Sequence, residues 1–335
     1  MSWRARASAA LWSVALLSPL ADAQTSEPVV TSLTVFAGTR EKLWRTKDWG
    51  ATWQPAESGA SGKSLVDLSD VRAILTLAPR VWAGGTGGLF VSDDFGLTWS
   101  KSIETPTALF VLPSRYPGSD PTVFLGTAEG LLKSDDAGKT FKPTPIRGTP
   151  VFRGEWPGPA LVMATGKGVF VSSDAAATFN GPGQGLPEGE VFALALSSFF
   201  GADPVMFAGT RQGVFRSGDA GQTWAPAGLS GQSVRDLVWF GPILYAAAAA
   251  GLFRSDDAGQ TWAPFGEKMG GTPNRLLFPL YPDSGAVLFV GTDDGVYRSD
   301  DGGVHWAAHG MKGQPVLALA TFPPPEKVLI RREKK

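Results

Sequence analysis

Short apolar runs alternate with polar turns along the chain, and the same order of runs returns about every 42 residues. One run ends in Gly-Thr, as at Val35–Thr39 and Met206–Thr210, and the next is β-branched and aromatic, as at Gly213–Ser217. A further apolar run precedes each such pair, for example Val191–Leu196. Because these residue types favour strands and the connections are short, the pattern predicts antiparallel meanders.

A polar motif of eight residues closes each repeat. Its seven copies are TKDWGATW (46–53), SDDFGLTW (92–99), SDDAGKTF (134–141), SSDAAATF (172–179), SGDAGQTW (217–224), SDDAGQTW (255–262) and SDDGGVHW (299–306). Their central residues are Asp48, Asp94, Asp136, Asp174, Asp219, Asp257 and Asp301. A period of about 40 to 45 residues is that of one four-stranded propeller blade. The sequence therefore predicts an all-β, seven-bladed β-propeller of four-stranded antiparallel blades.

The two ends of the repeat array predict how the ring closes. The first repeat lacks a first strand, whereas Pro315–Thr321, after the last motif, reads as a first strand without a blade. We expect this C-terminal segment to complete the N-terminal blade, because pairing it there removes two open sheet edges.

The eight-residue motif resembles the Asp-box, also called the bacterial neuraminidase repeat, with the form Ser-x-Asp-x-Gly-x-Thr-Trp. The resemblance implies a turn between the third and fourth strands, on the face away from any active site. A short carboxylate accepts hydrogen bonds from turn N–H groups, so the seven aspartates are predicted to be structural. Calcium is not expected, because no copy has the ladder of acidic residues that supplies six or more oxygens. Ala176 replaces the motif glycine and His305 its threonine, so these two turns should be the least regular.

The candidate chemistry does not indicate an enzyme. The chain has no Cys and two His, which excludes a cysteine nucleophile and leaves little for a serine triad or a zinc site. Asp-box propellers include sialidases, but the Arg-Ile-Pro motif of that family is missing and the four tyrosines are poorly placed. Xyloglucanase-type relatives place acidic residues between two propellers, and this chain encodes one. No catalytic residue, metal or cofactor is predicted.

Arginines recur on the innermost strands, which start by the central channel on the face opposite the motifs. Aligning Val71-Arg72, Val234-Arg235 and Asn274-Arg275 gives three arginines one register, with Arg153 one position off. Convergent guanidinium groups would bind a carboxylate, for example a peptide C-terminus or an acidic segment. Alternatively, each arginine pairs with a neighbour such as Asp70 or Asp236. The turns on the same face carry charges of both signs, including Arg40, Arg211 and Asp293, and are expected to be solvated.

The N-terminal residues 1–23 have the features of a secretory signal. Arg4 and Arg6 precede an apolar stretch, and Ala21-Asp22-Ala23 forms a small-x-small cleavage site. The predicted domains are a signal peptide at 1–23 and a single propeller at 24–335, without a membrane span after cleavage. A net charge of -1 does not favour nucleic acid. We expect a monomer in the bacterial periplasm or medium; residues 327–335 have no assigned role.

As a single, exported Asp-box propeller without the sialidase residues, this chain resembles the photosystem II assembly-factor-like group. This resemblance implies a non-enzymatic binding or assembly module that holds a protein or peptide on the face opposite the boxes. The alternative is a carbohydrate-active protein, either a glycosidase or a lectin. Two carboxylates about 5 to 10 Å apart in a deep cleft would favour hydrolysis.

Overall fold

A computed structural model describes residues 34–56 and 68–322, apart from 78, 115, 117, 159, 198, 199, 241, 268 and 279–286. The predicted signal segment 1–23 and residues 327–335 lie outside the described residues. All regular elements in the described ranges are β-strands. These ranges contain no helix that is long and apolar enough to cross a membrane.

The strands of the first half of the chain are β1 (Val35–Thr39), β2 (Leu43–Thr46), β3 (Gln54–Pro55), β4 (Ala73–Leu77), β5 (Arg80–Gly85), β6 (Gly88–Ser92), β7 (Ser100–Ile103), β8 (Ala108–Pro113), β9 (Val123–Thr127), β10 (Gly130–Ser134), β11 (Lys142–Arg147), β12 (Val151–Glu155), β13 (Leu161–Thr165) and β14 (Gly168–Ser172). Those of the second half are β15 (Val191–Leu196), β16 (Met206–Thr210), β17 (Gly213–Ser217), β18 (Ala225–Pro226), β19 (Val234–Phe240), β20 (Ile243–Ala248), β21 (Gly251–Ser255), β22 (Ala263–Pro264), β23 (Pro273–Leu277), β24 (Leu288–Thr292), β25 (Gly295–Ser299), β26 (Ala307–Ala308) and β27 (Val316–Thr321).

These strands form seven antiparallel sheets, one for each blade. Blade 1 has the order β27-β1-β2-β3, and blades 2 to 7 follow along the chain as β4–β7, β8–β11, β12–β14, β15–β18, β19–β22 and β23–β26. In blade 4 the fourth strand is reduced to a bridge between Val171 and Asn180. The predicted seven-bladed propeller is confirmed.

Ring closure follows the sequence prediction. β27 pairs antiparallel with β1, from Val35 opposite Thr321 to Thr39 opposite Val316. First strands of neighbouring blades contact each other in an unbroken cycle, in the order β4, β8, β12, β15, β19, β23, β27 and back to β4. The first strands therefore line the centre of the ring, and β27 completes the blade that β1 begins.

Second strands are apolar on both faces because each blade is packed between two others. All five residues of β9 are buried, as are all five of β1. Between blades 7 and 1, Phe289 and Val296 pack with Val35 and Val316 in one cluster. This explains the continuous apolar runs ending in Gly-Thr, which differ from the alternating pattern of a half-exposed sheet.

Each Asp-box is a closed hydrogen-bonded turn. In blade 2, Ser92 Oγ donates to Asp94 Oδ1 at 2.7 Å and accepts the Gly96 N–H at 2.8 Å. The same Asp94 oxygen accepts the Thr98 N–H at 2.8 Å, and Oδ2 accepts the Thr98 hydroxyl at 2.6 Å. Equivalent bonds to the aspartate occur in all seven copies. The aspartates hold the turns.

The two departures from the motif do not disturb it, so the expectation that these turns are the least regular is wrong. Ala176 takes a φ of 73° and still donates its N–H to Ser172 Oγ at 2.9 Å. His305 Nδ1 lies 2.6 Å from Asp301 Oδ2, where the other copies place a threonine hydroxyl. The aspartate network fixes the turn strongly enough to impose a left-handed alanine.

Box tryptophans join neighbouring blades. Three indole N–H groups donate across the seam to a backbone carbonyl, from Trp53 to His309, from Trp99 to Ala56 and from Trp262 to Ala227, at 2.7, 3.1 and 2.7 Å. The boxes thus act in blade packing, on the outer part of the ring.

Candidate functional site

One structural position on the first strands of all seven blades faces the same cavity. Six first strands carry a β-bulge against the second strand, and the extra residue is left out of the ladder. In blade 2 the equivalent residue lies just before β4. Together these seven residues are Leu317, Arg72, Leu109, Phe152, Phe192, Arg235 and Asn274, from blade 1 to blade 7, and all line one cavity of 640 Å³.

The bulges correct the register predicted for the arginines. Val234 lies opposite Ala248 and Pro273 opposite Thr292, so Asn274, and not Arg275, is the counterpart of Arg235. Arg275 follows the bulge. The seven-fold set therefore contains two arginines, Arg72 and Arg235.

Arg153 and Arg275 share the next position along their strands. Each lies opposite the equivalent residue of its second strand, Ala164 or Gly291. Blade 6 places Asp236 there, opposite Ala247. The charged side chains of the channel consequently lie in two successive layers, one at the bulge position and one at the next position along the strands.

Arg275 is anchored by backbone. Its Nη1 donates to the carbonyl oxygens of Arg235 and Asn274, both at 3.0 Å. Burial is the largest effect on the pKa of Arg275 and lowers it, against the opposing effect of Asp236. Three more guanidinium groups lower this pKa further, those of Arg153, Arg72 and Arg235. Arg275 is therefore close enough to the other three predicted arginines to be repelled by them.

Arg235 is bound to a neutral partner. Its Nη1 donates to Asn274 Oδ1 at 2.5 Å, and Asn274 Nδ2 donates to the Val316 carbonyl at 3.2 Å. Among the residues that the structure describes, neither Arg235 nor Arg275 makes an ion pair. Two adjacent cations at the border of blades 6 and 7 thus have no salt-bridge partner among the described residues, although Asp236 is close enough to raise the pKa of Arg275.

Arg72 forms the local pair that the sequence allowed. Its Nε and Nη2 donate to the two Asp70 oxygens at 2.7 and 3.2 Å. Arg153 instead reaches across the channel, with Nη2 4.0 Å from Asp236 Oδ1 and Nε 3.9 Å from Glu155 Oε1. Burial would lower the pKa of Arg153, but the two carboxylates raise it above its ordinary value.

Asp236 is committed to the framework. Its side chain is 4% exposed, and its oxygens accept the N–H groups of Leu237 at 3.1 Å and of Leu276 at 2.9 Å. Glu155 is more open, at 39% exposure, and its pKa is raised by burial and by Asp236 against the effect of Arg153. Asp236 is thus held by backbone N–H groups, whereas Glu155 faces an arginine.

Aromatic residues form another arc of the channel. The rings of Phe152 and Phe192 meet edge to face with centroids 5.5 Å apart. Leu109 continues this arc on blade 3, and the Arg211 guanidinium lies 5.3 Å from the Phe192 ring centroid. Arg211 also pairs with Glu190. Sequence reasoning missed these apolar members.

The turns at the mouth are not all free solvated tips. Arg40, Arg211 and Asp293 line the 640 Å³ cavity together with the bulge residues. Arg72, Leu109, Phe152 and Arg275 also border a deeper cavity of 260 Å³. No Asp-box residue lines either cavity.

In the described part of the chain, no three His, Asp or Glu side chains are grouped so that they could hold a metal ion.

The repeat is recognised independently of the structure. A family model of the BNR-Asp box repeat matches residues 89–103, which include the box of blade 2. The chain is a seven-bladed Asp-box β-propeller. None of the curated proteins matches this Asp-box propeller in sequence.

Solved structures share this fold at low sequence identity. The GH74 xyloglucanase from Xanthomonas campestris has a TM-score of 0.64 at 15% identity, over 84% of this propeller and 53% of the xyloglucanase. This propeller thus spans about half the length of that enzyme. YCF48 from Cyanidioschyzon merolae has a TM-score of 0.57 at 16% identity, covering 80% and 95% of the two chains. A structure of YCF48 bound to D1 peptide has a TM-score of 0.54 at 16% identity, covering 71% and 81%.

Proposed function

We propose that this propeller is a non-enzymatic binding or assembly module, which holds a protein or peptide partner at the channel mouth through an acidic or carboxylate group. The observation that carries the proposal is the adjacency of Arg235 and Arg275, whose guanidinium groups have no ion pair within the described ranges. Keeping two unpaired cations together costs free energy, and a bound anion would offset that cost.

The chemistry of the site supports an anion rather than a reacting substrate. Guanidinium groups stay charged and bind carboxylates with two parallel hydrogen bonds. Asp236, the carboxylate at the same strand position as Arg153 and Arg275, already accepts two backbone N–H groups. A precedent for peptide binding by a protein that shares this fold is YCF48, which has been solved bound to D1 peptide.

The proposed place of action is the bacterial periplasm or the medium, because residues 1–23 have the pattern of a secretory signal. A fusion of residues 1–23 to a reporter that is active only after export tests this part. Retention of the fusion in the cytoplasm would overturn it.

A glycan is the second candidate ligand, because the half-buried rings of Phe152 and Phe192 offer apolar surface inside the channel. Glycan binding, as in a lectin, fits this arc better than glycoside hydrolysis. Binding of neutral oligosaccharides that is unchanged by loss of the arginines would favour the lectin.

The deciding experiment measures binding of fluorescent acidic peptides, with free C-terminal carboxylates, to the purified propeller at low and physiological salt. The Arg235→Gln/Arg275→Gln double variant should reduce affinity by at least about 100-fold, since each charged hydrogen bond contributes roughly 1.5 to 3 kcal/mol. The matched control is Arg216→Gln/Arg254→Gln, which removes two arginines from outer strands of blades 5 and 6. Equal loss in both variants, or none in either, would contradict the proposal.

A further inference from the structure

The channel residues divide by chemistry around the ring. Leu109, Phe152 and Phe192 occupy consecutive blades 3, 4 and 5, and Arg235 and Asn274 occupy blades 6 and 7. The aromatic arc therefore adjoins the cationic arc where blade 5 meets blade 6. A ligand that uses both must carry an anion and an apolar group a short distance apart.

The apolar arc is accessible. Phe152 and Phe192 are only partly buried, whereas the aromatic residues of the second strands, such as Phe124 and Phe207, are fully buried. Rings that belonged to the core would be covered to the same extent. The two rings instead meet each other inside the cavity.

The apolar lining continues below the bulge layer. The 260 Å³ cavity shares Leu109 and Phe152 with the mouth and adds the side chains of Ile74, Val111 and Leu319. Its charged lining consists of Arg72, Arg153 and Arg275 and one carboxylate, Glu155. An apolar side chain that enters beyond the bulge layer would meet Ile74, Val111 and Leu319 there.

We propose, on the basis of the binding function above, that the ligand is the C-terminal residue of a polypeptide whose last side chain is large and apolar. Its α-carboxylate binds Arg235 and Arg275, and its side chain lies against Phe152 and Phe192. A terminal residue carries both groups on one carbon, which matches adjacent arcs. An internal Asp or Glu would place the apolar group on a neighbouring residue and require both chain directions to leave the channel.

The test compares matched fluorescent peptides on the intact propeller by anisotropy. One peptide ends in Phe with a free carboxylate, the second is its C-terminal amide, the third ends in Ser, and the fourth has an internal Glu and an amidated end. The first should bind best, and the amide and Ser forms about 10- to 100-fold more weakly. Phe152→Leu/Phe192→Leu should reduce the preference for Phe over Ser and leave the preference for carboxylate over amide.

Outcomes separate the two proposals. If the internal Glu peptide binds as well as the free Phe terminus and depends on Arg235 and Arg275, the chain-end proposal fails while the anion-binding function stands. If no peptide responds to loss of the two arginines, both fail. The unmodified propeller decides between the four peptides, so a leucine variant that does not fold leaves the test intact.

Discussion

The Arg275 side chain of blade 7 donates through Nη1 to the Arg235 backbone carbonyl of blade 6, at a distance of 3.0 Å. This bond positions one unpaired guanidinium beside the other. A second hydrogen bond from the same nitrogen runs to the Asn274 carbonyl. The position of the guanidinium group therefore depends on its hydrogen-bond geometry as well as on its charge.

Arg275→Lys should therefore weaken binding of a carboxylate peptide by about tenfold, although the formal charge is kept. A lysine ammonium lacks the planar fork, and its three N–H groups cannot keep the two carbonyl bonds and also bind a carboxylate through two parallel hydrogen bonds. Peptide titration measures the effect, with Arg254→Lys as the control. An unchanged affinity would show that only charge matters at this position.

Glu155→Gln should strengthen peptide binding at pH 7 to 8 by several-fold, because it removes the negative charge that faces Arg153. In the unmodified protein the pKa of Glu155 is raised by burial and by Asp236. Affinity should then increase as pH falls through that raised pKa, until the ligand carboxylate is itself protonated near pH 3.5. Titrations from pH 4 to 8 should show this step in the parent and in Asp256→Asn, and a flat profile in Glu155→Gln.

The pH dependence of folding stability should also depend on Glu155. An acid whose pKa is raised in the folded state binds its proton more tightly there than in the unfolded chain, so stability falls as pH rises from about 4.5 through the folded value. Glu155→Gln should remove that fall in thermal scans. A fall that persists in the variant would assign it to another group.

Acid should destabilise the propeller through its boxes. The pKa of Asp257 is lowered to about 2, chiefly by the Thr261 hydroxyl, and those of the other six box aspartates are also lowered. Their contribution to stability is present above about pH 4 and is lost as pH falls toward 2. Asp257→Asn should lower the melting temperature at pH 7 by about 2 to 5 °C and have little effect at pH 2. The adjacent Asp256→Asn is the control and should be nearly neutral at both.

Val316 and Leu317 provide a matched test of ring closure. Val316 is fully buried and pairs with Thr39, whereas Leu317 is the bulge residue and lines the cavity. Val316→Asp buries an unpaired charge, which costs several kcal/mol and should unfold or oligomerise the protein in size-exclusion chromatography. Leu317→Asp should elute as the folded monomer with weaker peptide binding. Equal behaviour of the two variants would argue against closure by β27.

Blade number and closure could be predicted because seven copies of one motif fix the repeat length, and because Pro315–Thr321 has no partner within its own repeat. The box turns could be predicted because their hydrogen bonds are local, between residues two to four apart. The copy with Ala176 shows that this network outweighs the preference of one residue.

The channel was only partly predictable. A bulge inserts one residue into the alternation, so matching arginine to arginine put Asn274-Arg275 in register with Val234-Arg235, one residue away from the observed pairing. The available signal was Pro273, an apolar residue just before Asn274-Arg275; it is buried like its counterpart Val234. Phe152 and Phe192 were missed because aromatic residues on inner strands are usually core. The contact from Arg153 to Asp236 joins blades 4 and 6, and no local pattern encodes it.

The bulge separates the lining of the channel from the frame that supports it. The ladder is intact on either side of each bulge. The bulge residue, which faces the channel, can therefore be exchanged without shifting strand register. Seven single codons, one per blade, therefore determine a ring of seven side chains that line the cavity. Substituting them in combination would turn one stable ring into a library of binding sites, and would let the same scaffold acquire new ligands by a few point mutations.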